Sequence, residues 1–105
     1  MGVIKGVLKE ELDNSLHMQK SYERELKKLP KGSLVKKRIK GQEYYYLIFR
    51  EDGKVRFVYK GKVQENEVKK YRDAKELRAR YRHLLSRVKK QVRFLRSSLR
   101  GKEAI

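Results

Sequence analysis

The chain has 105 residues, with 30 Lys or Arg against 13 Asp or Glu and a formal net charge of +17. That length holds one small domain, and the lack of cysteine excludes disulfides and thiolate metal sites. An excess of one sign on this scale repels itself when the chain is compact, so the expected partner is a polyanion.

Residues 1–29 carry little of the charge, six Lys/Arg against five Asp/Glu. Glu10, Glu11 and Asp13 follow a short apolar start, unlike a signal peptide, and no apolar run approaches the ~20 residues of a membrane span. A cytoplasmic protein is the expectation, with no membrane partner. Ile4, Leu8, Leu12, Ser15, Gln19, Tyr22, Leu26 and Leu29 recur in steps of four and three, which predicts an amphipathic helix over 3–29 with a polar middle to its seam. Pro30 ends it, because the residue before a proline is pushed towards extended geometry.

Residues 33–60 read as a three-stranded antiparallel meander. Leu34–Ile39, Glu43–Arg50 and Lys54–Lys60 are rich in Val, Ile, Tyr and Phe, and Gly41 and Asp52-Gly53 mark the turns. Three-residue loops, Ile39-Lys40-Gly41 and Glu51-Asp52-Gly53, would gather Val35, Tyr45, Leu47, Phe49, Val55, Phe57 and Tyr59 on one apolar face. Lys36, Arg38, Tyr44, Tyr46, Arg50, Lys54, Arg56 and Lys60 would then share the other face with Leu34, Ile48 and Val58. Two-residue turns, with Asp52-Gly53 as type I′, would instead set Tyr45, Leu47 and Phe49 beside Arg56 and Lys60. The first register is preferred because it separates apolar from charged side chains more cleanly.

A second helix, over 65–100, begins between Gln64 and Asn66, with Asn66 as a candidate N-cap and Glu67 favourable in the first turn. Its apolar seam is Leu77, Tyr81, Leu84, Val88, Val92, Leu95 and Leu99, where the step from Val88 to Val92 reads as a stutter. Beside the seam runs a basic stripe of Lys75, Arg78, Arg82, Lys89, Arg93, Arg96 and Arg100. Val68, Tyr71 and Ala74 are expected to cover the apolar sheet face. The fold class expected is α+β, one domain over 1–105, with the helices as an antiparallel coiled-coil-like hairpin. Val92, Leu95 and Leu99 should overhang the first helix, leaving a seam for a homodimer or a protein partner.

The chain offers no catalytic constellation. His17 and His83 lie on different helices without a carboxylate at ligand spacing, and the serines lack His and Asp partners. The glycines are spaced as turn residues and form no phosphate-cradling loop. No enzyme activity, cofactor, metal or small-molecule substrate is therefore expected. The candidate nucleic-acid-binding residues are Lys36, Arg38, Tyr44, Tyr46, Arg50, Lys54, Arg56 and Lys60 on the sheet and Arg78, Arg82, Lys89, Arg93 and Arg96 on the second helix. Cations would neutralise phosphates while Tyr44 and Tyr46 contact sugars or bases.

Within residues 29–62 the segments LPKGS (Leu29–Ser33), KxIxGxEYYYL (Lys37–Leu47), RExGK (Arg50–Lys54) and YxGK (Tyr59–Lys62) resemble a motif of small, mostly uncharacterised prokaryotic proteins, some of them associated with mobile elements and defence genes. The meander is more loosely similar to the three-stranded DNA-binding domains of tyrosine recombinases. The resemblance covers about a third of the chain and implies a sheet-based nucleic-acid module without established site residues. The long Arg-rich second helix and the lack of a catalytic domain depart from a recombinase. The function expected is a non-enzymatic DNA- or RNA-binding protein. The alternative is a protein-binding regulator, antitoxin-like or a phage-encoded inhibitor of a nuclease such as a CRISPR nuclease. A ribosome-associated or chromatin-like structural protein would share the charge signature.

Overall fold

The structure is a computed structural model describing residues 2–103. Helix α1 spans Gly2–Lys28, strands β1, β2 and β3 span Ser33–Ile39, Gln42–Glu51 and Lys54–Gly61, and helix α2 spans Glu65–Glu103. The strands form one antiparallel sheet in the order β1-β2-β3. This is the α+β order read from the sequence. The chain divides into two compact units: α1 with α2 from Ala79 onward, and residues 29–78, which hold the sheet and the first turns of α2.

In the helical unit, α1 and α2 are antiparallel. The Tyr22 and Tyr81 rings meet at 6.1 Å, and α1 ends only six residues after Tyr22. A parallel pairing would leave α2 uncovered soon after Tyr81, yet Val88, Val92, Leu95 and Leu99 are all buried, at 3 to 7 % exposure. The expected overhang is therefore absent: Val92, Leu95 and Leu99 are the core of this unit and offer no surface to a second copy or a protein partner. Burying each such side chain stabilises the packed state by roughly 1.5–3 kcal/mol.

Ser15 on α1 is buried as well, at 2 %, so the polar middle of the expected seam is its tightest point. The seam of α2 also differs in phase. In the helical unit Tyr81, Leu85, Val88, Val92, Leu95 and Leu99 are buried or half-buried, as is Leu84, while in the other unit Leu77 is 41 % exposed. From Tyr81 to Leu99 the steps taken through Leu85 alternate four and three, so Leu85 supplies the phase that the expected stutter skipped.

In the other unit, both hairpins close with two-residue turns. Lys40-Gly41 and Asp52-Gly53 all have positive φ, between 52° and 78°, which is the type I′ geometry whose twist matches that of the flanking strands. Ile39 consequently pairs with Gln42 and Glu51 with Lys54. The preferred register is overturned: β2 keeps its expected faces, while β1 and β3 exchange theirs. The inner face carries Leu34, Lys36 and Arg38, then Glu43, Tyr45, Leu47, Phe49 and Glu51, then Lys54, Arg56 and Val58. The outer face carries Val35, Lys37 and Ile39, then Tyr44, Tyr46, Ile48 and Arg50, then Val55, Phe57 and Tyr59. A bulge interrupts the pairing between Tyr45 and Tyr46, and Lys60 is the extra residue opposite it.

The entry to β1 is tight. Gly32 has φ +94, and a Cβ there would lie 2.7 Å from the Ile48 carbonyl oxygen, so only glycine fits. At the start of α2 the Gln64 carbonyl accepts hydrogen bonds from the Glu67 and Val68 amides at 3.0 and 3.1 Å. Gln64 is therefore the N-cap; Asn66 lies inside the first turn, with Glu65 and Glu67 suited to the positive end of the helix dipole.

Candidate nucleic-acid interface

The two-residue turns decide which side chains meet. On the outer face Tyr46 stands directly opposite Tyr59, with ring centroids 5.3 Å apart in an edge-to-face arrangement. Tyr44 reaches the same ring from the diagonal position at 6.2 Å. Lys37 Nζ sits 5.3 Å from the centroid of the Tyr46 ring, a cation–π contact available because Lys37 neighbours Tyr46 across β1 and β2. Phe57 follows one outer position along β3 from Tyr59. Phe57 is 66 % and Tyr59 58 % exposed, and Val55 is 50 % exposed beside them.

A cluster of aromatic rings facing water is unusual for a chain otherwise dominated by charge. Its charge is equally one-sided. Lys37 and Arg50 lie on the outer face, and among the described residues this face holds no Asp or Glu. The inner face is different: Arg38 pairs with Glu43, Lys54 pairs with Glu51, and Lys36 Nζ approaches Glu43 Oε2 at 3.4 Å. Carboxylates opposite these cations offset their charge, although both groups of the Lys36–Glu43 pair stay about half exposed and such a pair adds little to stability.

The single basic-aromatic face expected from the sequence is thus divided. Tyr44, Tyr46 and Arg50 are on the outer face; Lys36, Arg38, Lys54 and Arg56 are on the inner one. Arg78 is withdrawn altogether. It is half-buried, and its guanidinium donates a hydrogen bond to the Pro30 carbonyl, tying the segment before β1 to α2. Arg82, Lys89, Arg93 and Arg96 are exposed as expected. They belong to a run from Ala79 to Gly101 with eight Lys/Arg and no acid, so the exposed side of this helix is cationic broadly rather than in one stripe. Lys37, Phe57 and Tyr59 were missed. The Asp-Gly and Lys-Gly dipeptides at the turns carried the signal for them.

Beside the inner face, Lys36, Tyr45, Tyr71, Arg72 and Lys75 line an open groove of about 410 Å³ between the sheet and the first turns of α2. Val68 lines it too, so Val68 and Tyr71 border the groove beside a face that carries cations, while Val55, Phe57 and Tyr59, which they were expected to cover, are exposed. Glu65 enters the adjoining hollow with Lys36 and Arg72, so this cationic surface has an acid within it. The outer face has none.

The histidines take local roles. His17 Nδ1 donates to the Asp13 carbonyl at 2.8 Å, one turn earlier in α1, and His83 is exposed. Among the described residues no cluster of His, Asp and Glu is placed to hold a metal ion, and no helix is long and apolar enough to cross a membrane.

No curated protein and no solved structure matches the chain. A family model does, described as Domain of unknown function (DUF6788), and it matches residues 5–70. The match takes in nearly all of α1, the whole meander and the first turns of α2, and so includes every residue of the outer face. The chain belongs to the DUF6788 family.

Proposed function

We propose that this protein is a non-enzymatic nucleic-acid-binding module whose contact surface is the outer face of the sheet. One observation carries the reading: Phe57 and Tyr59 stand exposed among Tyr44, Tyr46, Lys37 and Arg50 on a face without acids. Aromatic rings give bases a surface to lie on, and unpaired cations beside them neutralise phosphates. The exposed cations of α2, Arg82, Lys89, Arg93 and Arg96, add attraction for a polyanion that does not depend on sequence. The inner-face cations Lys36, Arg38 and Lys54, which have Glu43 or Glu51 beside or opposite them, contribute less.

A cytoplasmic setting, where nucleic acid is at hand, belongs to this reading. The resemblance of the meander to proteins of mobile elements and defence, and its looser likeness to recombinase DNA-binding domains, agree with it. The protein-docking alternative drew on an exposed seam at Val92, Leu95 and Leu99, and these residues are buried in the helical unit.

The test is to purify the full chain without nuclease treatment and then challenge it with labelled oligonucleotides at low salt. Co-eluting nucleic acid, released by high salt, is the expected result. A preparation free of nucleic acid that binds no oligonucleotide, single- or double-stranded, would reject the reading.

A further inference from the structure

We infer that the nucleic acid this face takes is single-stranded and unstacked, with successive bases lying on Phe57 and Tyr59. The inference rests on the nucleic-acid reading above and adds the form of the ligand.

Spacing is the first reason. Phe57 and Tyr59 are two residues apart on β3 and share a face, so their rings are offset by about 6.8 Å along the strand. Bases stacked in a duplex advance only about 3.4 Å per nucleotide along each strand. Neighbouring bases can occupy both rings only if the strand is drawn out to roughly twice that rise, which a paired duplex does not permit.

The second reason is what the face presents. A duplex shows its grooves and phosphates and hides the flat surfaces of its bases, so it would be met by cations and polar side chains. Here the centre of the face is aromatic and aliphatic: Ile48 stands opposite Phe57 and Tyr46 opposite Tyr59. Cations are confined to Lys37 on β1 and Arg50 near the end of β2, flanking the rings where a backbone would pass.

The third reason is rigidity. Tyr44 and Tyr46 both pack against Tyr59, and Lys37 is held over Tyr46. The Tyr59 ring is braced before any ligand arrives, so ordering it costs little on binding. Stacking of this kind is tolerant of sequence, because every base has a π-face.

The chain has no tryptophan, so Tyr59→Trp places a single tryptophan at the proposed contact, and excitation at the red edge of the absorption band reads its emission apart from that of the remaining tyrosines. A single-stranded oligonucleotide of about a dozen nucleotides, the upper range for one small sheet-based site, should quench it. Its matched duplex should bind more weakly and leave the emission nearly unchanged. Phe57→Ala and Tyr59→Ala should each weaken single-strand binding by about fivefold to a hundredfold, while Phe57→Tyr and Tyr59→Phe keep the affinity within about twofold. Both rings are exposed, so the alanine variants should fold, and circular dichroism checks that they do.

Tighter binding of the duplex, with affinity indifferent to either alanine variant, would overturn the inference and leave the cation-based reading standing. Failure to bind either ligand at low salt would remove both. Light scattering that shows a dimer broken by Phe57→Ala and Tyr59→Ala would assign the face to a second copy of the chain and also overturn the inference.

Discussion

Between about 50 and 200 mM salt, the affinity of this protein for a single-stranded oligonucleotide should fall by roughly two to three orders of magnitude. The expectation follows from counterion release. Each phosphate neutralised by a Lys or Arg frees condensed cations, and the logarithm of the affinity falls by about 0.7 per contact for single strands for each decade of salt. Lys37 and Arg50 flank the aromatic centre, Lys60 lies at the bulge, and the exposed run on α2 supplies further cations without acids among them. Some five or six contacts from this supply give a drop of the stated size. Fluorescence anisotropy across the salt series measures it. A fall of less than about tenfold would mean that the net charge of +17 is not what holds the ligand, and that stacking or a different partner dominates.

Leu95→Ala should destabilise the protein by about 2–5 kcal/mol, while the neighbouring Phe94→Ala should change stability by no more than about 0.5 kcal/mol. Leu95 is 5 % exposed in the helical unit and Phe94 is 68 % exposed, so adjacent residues on one helix sample its two sides. Truncating Leu95 removes its burial and leaves a space that the surrounding helices fill only in part. Truncating Phe94 takes an aromatic ring away from water. Urea denaturation followed by circular dichroism compares the two. Equal midpoints, or a larger loss at Phe94, would show that α2 packs with another face and that the seam from Tyr81 to Leu99 is misplaced. The same pair decides whether Val92, Leu95 and Leu99 are core or docking surface.

Much of the fold was legible in the sequence because its signals are local. Pro30 and the turn glycines cut the chain into five elements, and apolar spacing named Val88, Val92, Leu95 and Leu99 correctly as one face of a helix. Which partner covered that face was a matter of long-range packing. The overhang was inferred by assuming that α1 runs out early, whereas Val92, Leu95 and Leu99 are buried in the unit that α1 forms with this part of α2. Leu84, read as a seam residue, and its neighbour Leu85 are both half-buried, and the four-three alternation from Tyr81 runs through Leu85.

The site was less legible, and the reason lies in two turns. Cleaner separation of charge from apolar surface was allowed to decide the register, and it gave three-residue loops. The local chemistry of Asp52-Gly53 and Lys40-Gly41, where consecutive residues adopt positive φ, favours the tighter type I′ turn and takes precedence. One residue of slip on β1 and β3 brings Phe57 and Tyr59 out of the supposed core and sends Arg38 and Arg56 to the other side. A sheet that shows water its aromatic residues is a poor solution for burial alone. That discrepancy is the feature most in need of a function, and it is why local rules and global patterning point to different faces here.

The central claim is that the outer face of the sheet is where nucleic acid sits. Ultraviolet crosslinking of the full chain to a single-stranded oligonucleotide, followed by tryptic digestion and mass spectrometry, tests it directly, because Phe57 to Lys60 forms one tryptic peptide holding both exposed rings. Nucleotide adducts on that peptide, lost in Phe57→Ala/Tyr59→Ala, are the predicted result. Adducts confined to α2 or to Tyr45 and Tyr71 in the inner groove would contradict the account.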